Sequence, residues 1–211
     1  MINWDEFEHI HVIRKLKQIL AAWWNVDTIF TDERGYLKGF DKGKMTYANP
    51  AISMLMAKDA AVDNLAEVVS KTLEDLRLSE NRYSLRKWDL AGFDIGVFPI
   101  WIDNDLVGAV VGLGFFKESS PARAAEVREH LAAFGASNEA IELTLAKTRT
   151  LDEDDRAKLV SLVELTSHEI VTLHLEITQR EDRIRELNKE LGSRYKYDSM
   201  IGKSKPMQAL Y

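Results

Sequence analysis

From residue 3 to residue 25 the apolar side chains Trp4, Phe7, Ile10, Ile13, Leu16, Ile19, Leu20 and Trp23 recur at steps of three and four with charges between them. That spacing lays one apolar stripe along an α-helix. Residues 28–31 and 36–40 are two β-prone runs joined by Asp32-Glu33-Arg34-Gly35. Glycine there can take the left-handed position of a tight turn, so the pattern predicts a hairpin. Residues 49–78 are rich in Ala, Leu, Met, Lys and Glu and predict two helices with a break around residues 58–63. Strands follow at 83–90, 94–102 and 106–116, the last two turning at Asp103-Asn104-Asp105. Residues 106–114 are nearly all apolar, which suits a central strand covered on both faces.

Ser120 before Pro121 marks a helix start and Gly135 its end, with a short helix at 138–147 after it. Thr150 with Glu153 makes a capping box, and no proline or glycine interrupts the chain from there until Gly192. A helix of about forty residues is several times the globular average of about a dozen and needs a partner. With Ile170 at heptad position a, Val163, Ile177, Ile184 and Leu191 also fall at a, and Leu173 and Leu187 at d. Isoleucine at a with leucine at d favours a parallel two-stranded coil, so these residues are the candidate homodimer seam. Arg180 also occupies a d position, where its guanidinium must bend out of the seam, and Glu176 would face Glu181 of the other copy. Such a coil is marginal and open to switching. The alternative is that the helix packs on its own domain as a long terminal element.

The expected fold is therefore α+β, a central antiparallel sheet flanked by helices and followed by a long C-terminal coiled-coil helix. The expected organisation is a domain at 1–150, a dimerising helix at 151–192 and a further segment at 193–211. Composition narrows what such a chain does. Over 211 residues, 45% are apolar and 29% charged, an ordinary globular balance. The net charge of −6 and the lack of a Lys/Arg run argue against direct DNA binding. The chain has no cysteine, which excludes disulfides, thiolate nucleophiles and sulfur-based zinc sites. With neither a leader-like start nor a membrane-length apolar stretch, a cytoplasmic location is expected.

Motifs that carry chemistry are incomplete. Gly202-Lys203-Ser204 ends like a phosphate-binding loop, but Tyr197 stands where that loop needs glycine. His168-Glu169 resembles a zinc-protease helix, yet its second histidine is at 174, while Thr172 holds the position one turn on. Gly108, Gly112 and Gly114 lie inside a strand and suit close approach to the sheet, not a dinucleotide cradle. Asp152 to Asp155 read as anions at a helix N-terminus. No catalytic constellation emerges, so no enzyme activity, metal or cofactor is expected.

The tail Tyr197-Asp198-Ser199-Met200-Ile201-Gly202-Lys203-Ser204, with Met207 after it, resembles the opening of the AAA+ domain of sigma-54-dependent transcription activators. Residues 1–175 are similar to the PocR-type, PAS-like sensory domain of bacterial regulators. The matching pieces are Thr31-Asp32-Glu33-Arg34-Gly35, Asn49-Pro50, Ala91-Gly92-Phe93-Asp94, Phe98-Pro99-Ile100 and the run from Leu106 to Gly112. Family members carry cysteine just after the Asn-Pro pair and ahead of the Ala-Gly pair. Ala51-Ile52-Ser53 and Lys87-Trp88-Asp89 stand there instead, so no thiol or metal role carries over. The resemblance implies a PAS/GAF-like sensory unit, a coiled-coil linker and an AAA+ ATPase cut off at its start. Contacts with RNA polymerase sigma-54 and DNA would belong to domains after Tyr211.

A PAS-like module places its ligand between the sheet and its covering helices. Phe30, Trp88, Phe98, Trp101 and Val110, from strands expected to be neighbours, are the candidate lining for a small-molecule effector. Alternation sends Phe98 and Ile100 to one face and Val97, Pro99 and Trp101 to the other, so Phe98 and Trp101 share a site only across a bulge. Phe98 is the preferred one, because Trp101 adjoins the polar turn at Asp103. The competing expectation is an interaction and dimerisation module whose interior is filled by its own aromatics.

Overall fold

The structure, a computed structural model, describes residues 11–38 and 47–194. Its first helix, α1 (His11–Trp24), buries Ile13, Leu16, Leu20 and Trp24 at steps of three and four. Trp23, expected on that stripe, is exposed, and Trp24 takes the buried place; Trp4, Phe7 and Ile10 lie outside the described residues. Asn25, at a left-handed φ of 54°, ends the helix and turns the chain into β1 (Asp27–Asp32). The turn to β2 (Leu37–Lys38) is held by Asp32, whose Oδ1 accepts from the N–H groups of Arg34 (3.0 Å) and Tyr36 (2.9 Å). Gly35 there has φ +85°, and a Cβ at this position would lie 2.6 Å from the carbonyl oxygen of Ala66. The turn is thus pressed onto the helix behind it, which only glycine permits.

Asn49 caps α2 (Pro50–Met56) through a bond from the Ala51 N–H, and a break at Ala57-Lys58 leads into α3 (Asp59–Arg77). Then come β3 (Ser84–Trp88), β4 (Phe93–Ile102) and β5 (Asp105–Phe115). Asp103 and Asn104 both have positive φ, 49° and 70°, the mirror-image turn whose twist suits a tight hairpin. Helices α4 (Pro121–Ala133), capped by Ser120, and α5 (Asn138–Lys147), capped by Ser137, precede α6 (Glu153–Arg194), which runs for 42 residues. Asp152, not Thr150, caps α6: its carboxylate accepts from the Asp155 N–H at 2.8 Å, while Thr150 pairs with Phe116.

The five strands form one antiparallel sheet in the order β2-β1-β5-β4-β3. One face packs on α2 and α3, bringing Ile29, Val97, Val111 and Leu113 together with Ile52, Leu55, Leu65 and Leu73. The other face carries Phe30, Val110 and Phe98, which are cross-strand neighbours through the register Phe30↔Val110 and Phe98↔Val110. Covered on both faces, β5 is buried from Gly108 onward, as its apolar run requires. Strand β3 pairs with β4 only from Phe93 to Val97, so residues 98–102 of β4 have no strand on their outer side among the described residues.

The chain divides into two compact units, the first ending at Val171 and the second beginning at Thr172. The boundary drawn from sequence at 150–151 therefore falls inside the first unit, because the first part of α6 belongs to its core: Leu159, Val163 and Ile170 are fully buried. In the second unit Ile184, Leu187 and Leu191 are exposed. No helix among the described residues is long and apolar enough to cross a membrane.

Candidate functional site

The five side chains expected to line one cavity do not all come together. Phe30, Val110 and Phe98 sit side by side on the sheet face away from α2 and α3, each no more than 2% exposed. Lys17 of α1 lies 5.2 Å from the centre of the Phe30 ring, and the Phe98 ring folds back over Gly96, where a Cβ would be only 2.7 Å away. Tyr83 stacks on Phe98 at 5.5 Å from the open edge. Trp88 is on the opposite face, fully buried in the α2/α3 core, where its indole N–H donates to Asn64 Oδ1 at 2.9 Å. The expectation of a shared lining fails because strand alternation and the β4 register send these residues to different layers.

Trp101 is displaced by a register shift between Ile100 and Trp101, the bulge that the alternation argument required. It is 40% exposed and stands between two open clefts at one end of the sheet. The larger, of about 900 Å³, is bounded by Asp32, Arg34, Tyr36, Arg77, Trp101 and Asp105. The smaller, of about 390 Å³, lies beside Phe98 and Pro99 and is closed by the loop after α3 and by Glu164 and Ser167 of α6. Trp101 thus joins Phe98 at the smaller cleft, although Phe98 contributes little surface. Within the larger cleft Lys38 pairs with Asp32 at 2.9 Å, and the apolar wall is made by the rings of Tyr36 and Trp101 with Leu106 and Val107. Tyr36 and Arg77 escaped sequence reasoning, since nothing in their local pattern separates a cleft-facing residue from an ordinary surface one.

A second polar cluster lies at the start of β1. Asp27 is buried, and its carboxylate accepts from the backbone N–H groups of Ala48 (2.7 Å) and Asn49 (3.0 Å). Burial pushes its pKa up to about 6, against the pull of those two bonds and of Lys17. Fully buried Asn49 donates in turn to the Thr148 hydroxyl at 3.1 Å, so one carboxylate ties β1 to the start of α2 and, through Asn49, to the end of α5. The sequence signal was slight: an aspartate directly before a β-prone run. A comparable clamp holds α4, where Asp94 receives the Lys117 N–H and the Arg123 guanidinium, the latter at 2.9 Å.

Of the seam residues expected along α6, Val163 and Ile170 are buried inside the first unit and unavailable to another chain as it stands. Leu173 and Ile177 are half-buried, and Ile184, Leu187 and Leu191 are exposed by 58, 42 and 50%. Arg180 turns out of the ridge toward Glu176, 3.4 Å away on the same helix, and Glu181 has Arg185 at 3.8 Å. Each glutamate of the expected like-charge pair is thus matched within its own chain. Among the described residues no group of three or more His, Asp or Glu side chains is placed to hold a metal ion. Comparison with family models, with curated proteins and with solved structures found no match to this chain.

Proposed function

We propose that this chain is the regulatory front end of a bacterial sigma-54-dependent transcription activator, a PAS/PocR-like sensory unit that passes its state through a homodimeric coil to an ATPase domain downstream. The observation that carries the reading is α6, one uninterrupted helix whose a/d ridge is core in the first unit and goes from half-buried to exposed along the second. Four apolar side chains of that ridge, Ile177, Ile184, Leu187 and Leu191, keep the spacing of a parallel dimer. The antiparallel sheet with helices on both faces agrees with the fold that the resemblance implies. Sigma-54 polymerase and DNA would be met by downstream domains, in the cytoplasm. A small-molecule effector fits the open clefts around Trp101 better than the packed interior, with Tyr36 and Trp101 offering ring faces and Arg77 a cation.

The second reading is an interaction module without a small ligand. It is favoured by the near-complete burial of Phe30, Phe98 and Val110, and by the exposed Tyr36, Trp101 and Arg77, residue types that dominate protein interfaces. Light scattering on the 211-residue chain tests the dimer. The intact chain is expected at twice its 24.1 kDa mass, and Ile184→Asp with Leu187→Asp at the monomer mass with an unchanged melting transition. Equal masses for both would remove the coil. Native mass spectrometry then separates the two readings, since a co-purifying small molecule lost in Trp101→Ala supports the effector and a bare protein supports the interaction module.

A further inference from the structure

The a and d positions of α6 continue upstream of the exposed ridge without a break in phase. Leu159 and Thr166 fall at d, and Val163 and Ile170 at a, in step with Leu173, Ile177, Ile184, Leu187 and Leu191. Leu159, Val163 and Ile170 are fully buried in the first unit and Thr166 is 3% exposed, whereas Ile184, Leu187 and Leu191 are open. A side chain buried against its own domain cannot at the same time fill a hole on a second helix. From these placements we infer that residues 159–170 of α6 have two mutually exclusive occupants, their own domain and the same residues of a second copy, so that release of the helix lengthens the coil upstream to Leu159. The inference rests on the dimeric reading above and adds where the coil begins and what limits it.

Three features make the exchange feasible. First, the stretch is held almost wholly by apolar contact: among the described residues, the side-chain hydrogen bond that ties this part of α6 to another element is that of the Trp24 indole N–H to Asp155, 2.8 Å long and in the first turn. An apolar ridge moved from one apolar partner to another gives up little burial. Second, the polar member of the ridge carries its partner with it, since the Thr166 hydroxyl donates to the Leu162 carbonyl of its own helix at 2.9 Å. It remains satisfied in either setting. Third, the chain is anchored just before the helix, where the Leu151 N–H donates to the Phe116 carbonyl at 2.9 Å. That anchor leaves a fixed point about which α6 can separate while the sheet stays intact.

The chain contains no cysteine, so one introduced thiol reports one position. Leu187→Cys and Thr166→Cys are made in the full chain, each alone and with Trp24→Phe, which keeps a ring but removes the indole donor. Cross-linked dimer is followed under mild oxidation on non-reducing gels. Leu187→Cys is expected to cross-link quickly in both backgrounds. Thr166→Cys should do so at least tenfold more slowly in the unaltered background and about tenfold faster once Trp24 is replaced, the shift expected for losing one hydrogen bond to a charged acceptor. Asp155→Ala removes the same bond from the more exposed side and takes the place of Trp24→Phe if that variant does not fold. Failure of Leu187→Cys to cross-link removes the dimer itself. Rapid Leu187→Cys cross-linking with Thr166→Cys indifferent to both releasing variants leaves the dimer standing and overturns the exchange, as does equally rapid Thr166→Cys cross-linking in the unaltered background.

Discussion

Replacing Asp27 by asparagine tests whether burial or hydrogen bonding governs the carboxylate at the start of β1. Its pKa of about 6, against an ordinary 3.8, means that the folded state binds this proton more tightly than the unfolded chain does. Stability from this group is therefore full below pH 3.8, is lost as pH rises toward 6, and stays lost above. A gap of about two pH units corresponds to roughly 3 kcal/mol. Asp27→Asn removes that dependence and adds a constant penalty, because its amide nitrogen must face one of the two N–H groups of Ala48 and Asn49; an unmet buried donor costs about 1–3 kcal/mol. Urea unfolding of both proteins at pH 4, 5, 6 and 7 gives the difference between them. The advantage of the native chain over the variant should shrink by roughly 2 kcal/mol from pH 4 to pH 7, since part of the full amount is already lost at pH 4. If the advantage grows with pH instead, the two backbone bonds outweigh burial and the carboxylate is an anion held below its usual range.

Three further outcomes follow from geometry. Gly35→Ala forces a side chain into a left-handed φ and against the Ala66 and Ser70 backbone, and should cost more than about 2 kcal/mol in thermal unfolding; a loss below about 0.5 kcal/mol would mean that the turn lifts freely off α3. Phe98→Ala should cost roughly 3–5 kcal/mol with no selective change in effector response, and a small stability loss with altered response would return Phe98 to a ligand site. Arg180→Leu gives up only an exposed ion pair and adds an apolar d residue to each helix, so sedimentation equilibrium should show a Kd lower by about a hundredfold, from roughly 3 kcal/mol per dimer. An unchanged Kd would refute the heptad register.

Local rules made most of the elements legible in the sequence. The alternating and all-apolar runs located β4 and β5, the Ser120-Pro121 and Gly135 signals bounded α4, and the interrupted helical region resolved into α2 and α3 with the break at Ala57-Lys58. Alternation put Phe98 and Ile100 on one face of β4 and Val97 on the other, but Trp88 was grouped with Phe30 although it faces the opposite layer, and the shift at Trp101 was named only as a condition. What local pattern could not supply was the covering of each face. Phe30 and Trp88 are both large, apolar and on strands, and it takes the pairing register across β1, β5, β4 and β3 to show that one lies under α1 and the other under α3. The ridge of α6 was read as one seam because periodicity reports which residues share a face and carries no information on what that face meets. Asp27 was missed for the same reason, since its partners at 48 and 49 are twenty residues away.

Strand β4 outlasts its neighbour. Beyond Val97 its outer side has no strand, among the described residues, to receive its backbone groups, and such an edge is a template on which another chain can polymerise. Pro99 sits in that stretch and contributes no N–H, while the Ile100–Trp101 register shift bends the strand away from a straight ladder. Together they blunt an edge that would otherwise recruit extended chain indiscriminately. Sheet growth from this edge is thereby disfavoured, and Pro99→Thr should leave the melting temperature nearly unchanged while lowering the concentration at which the protein precipitates.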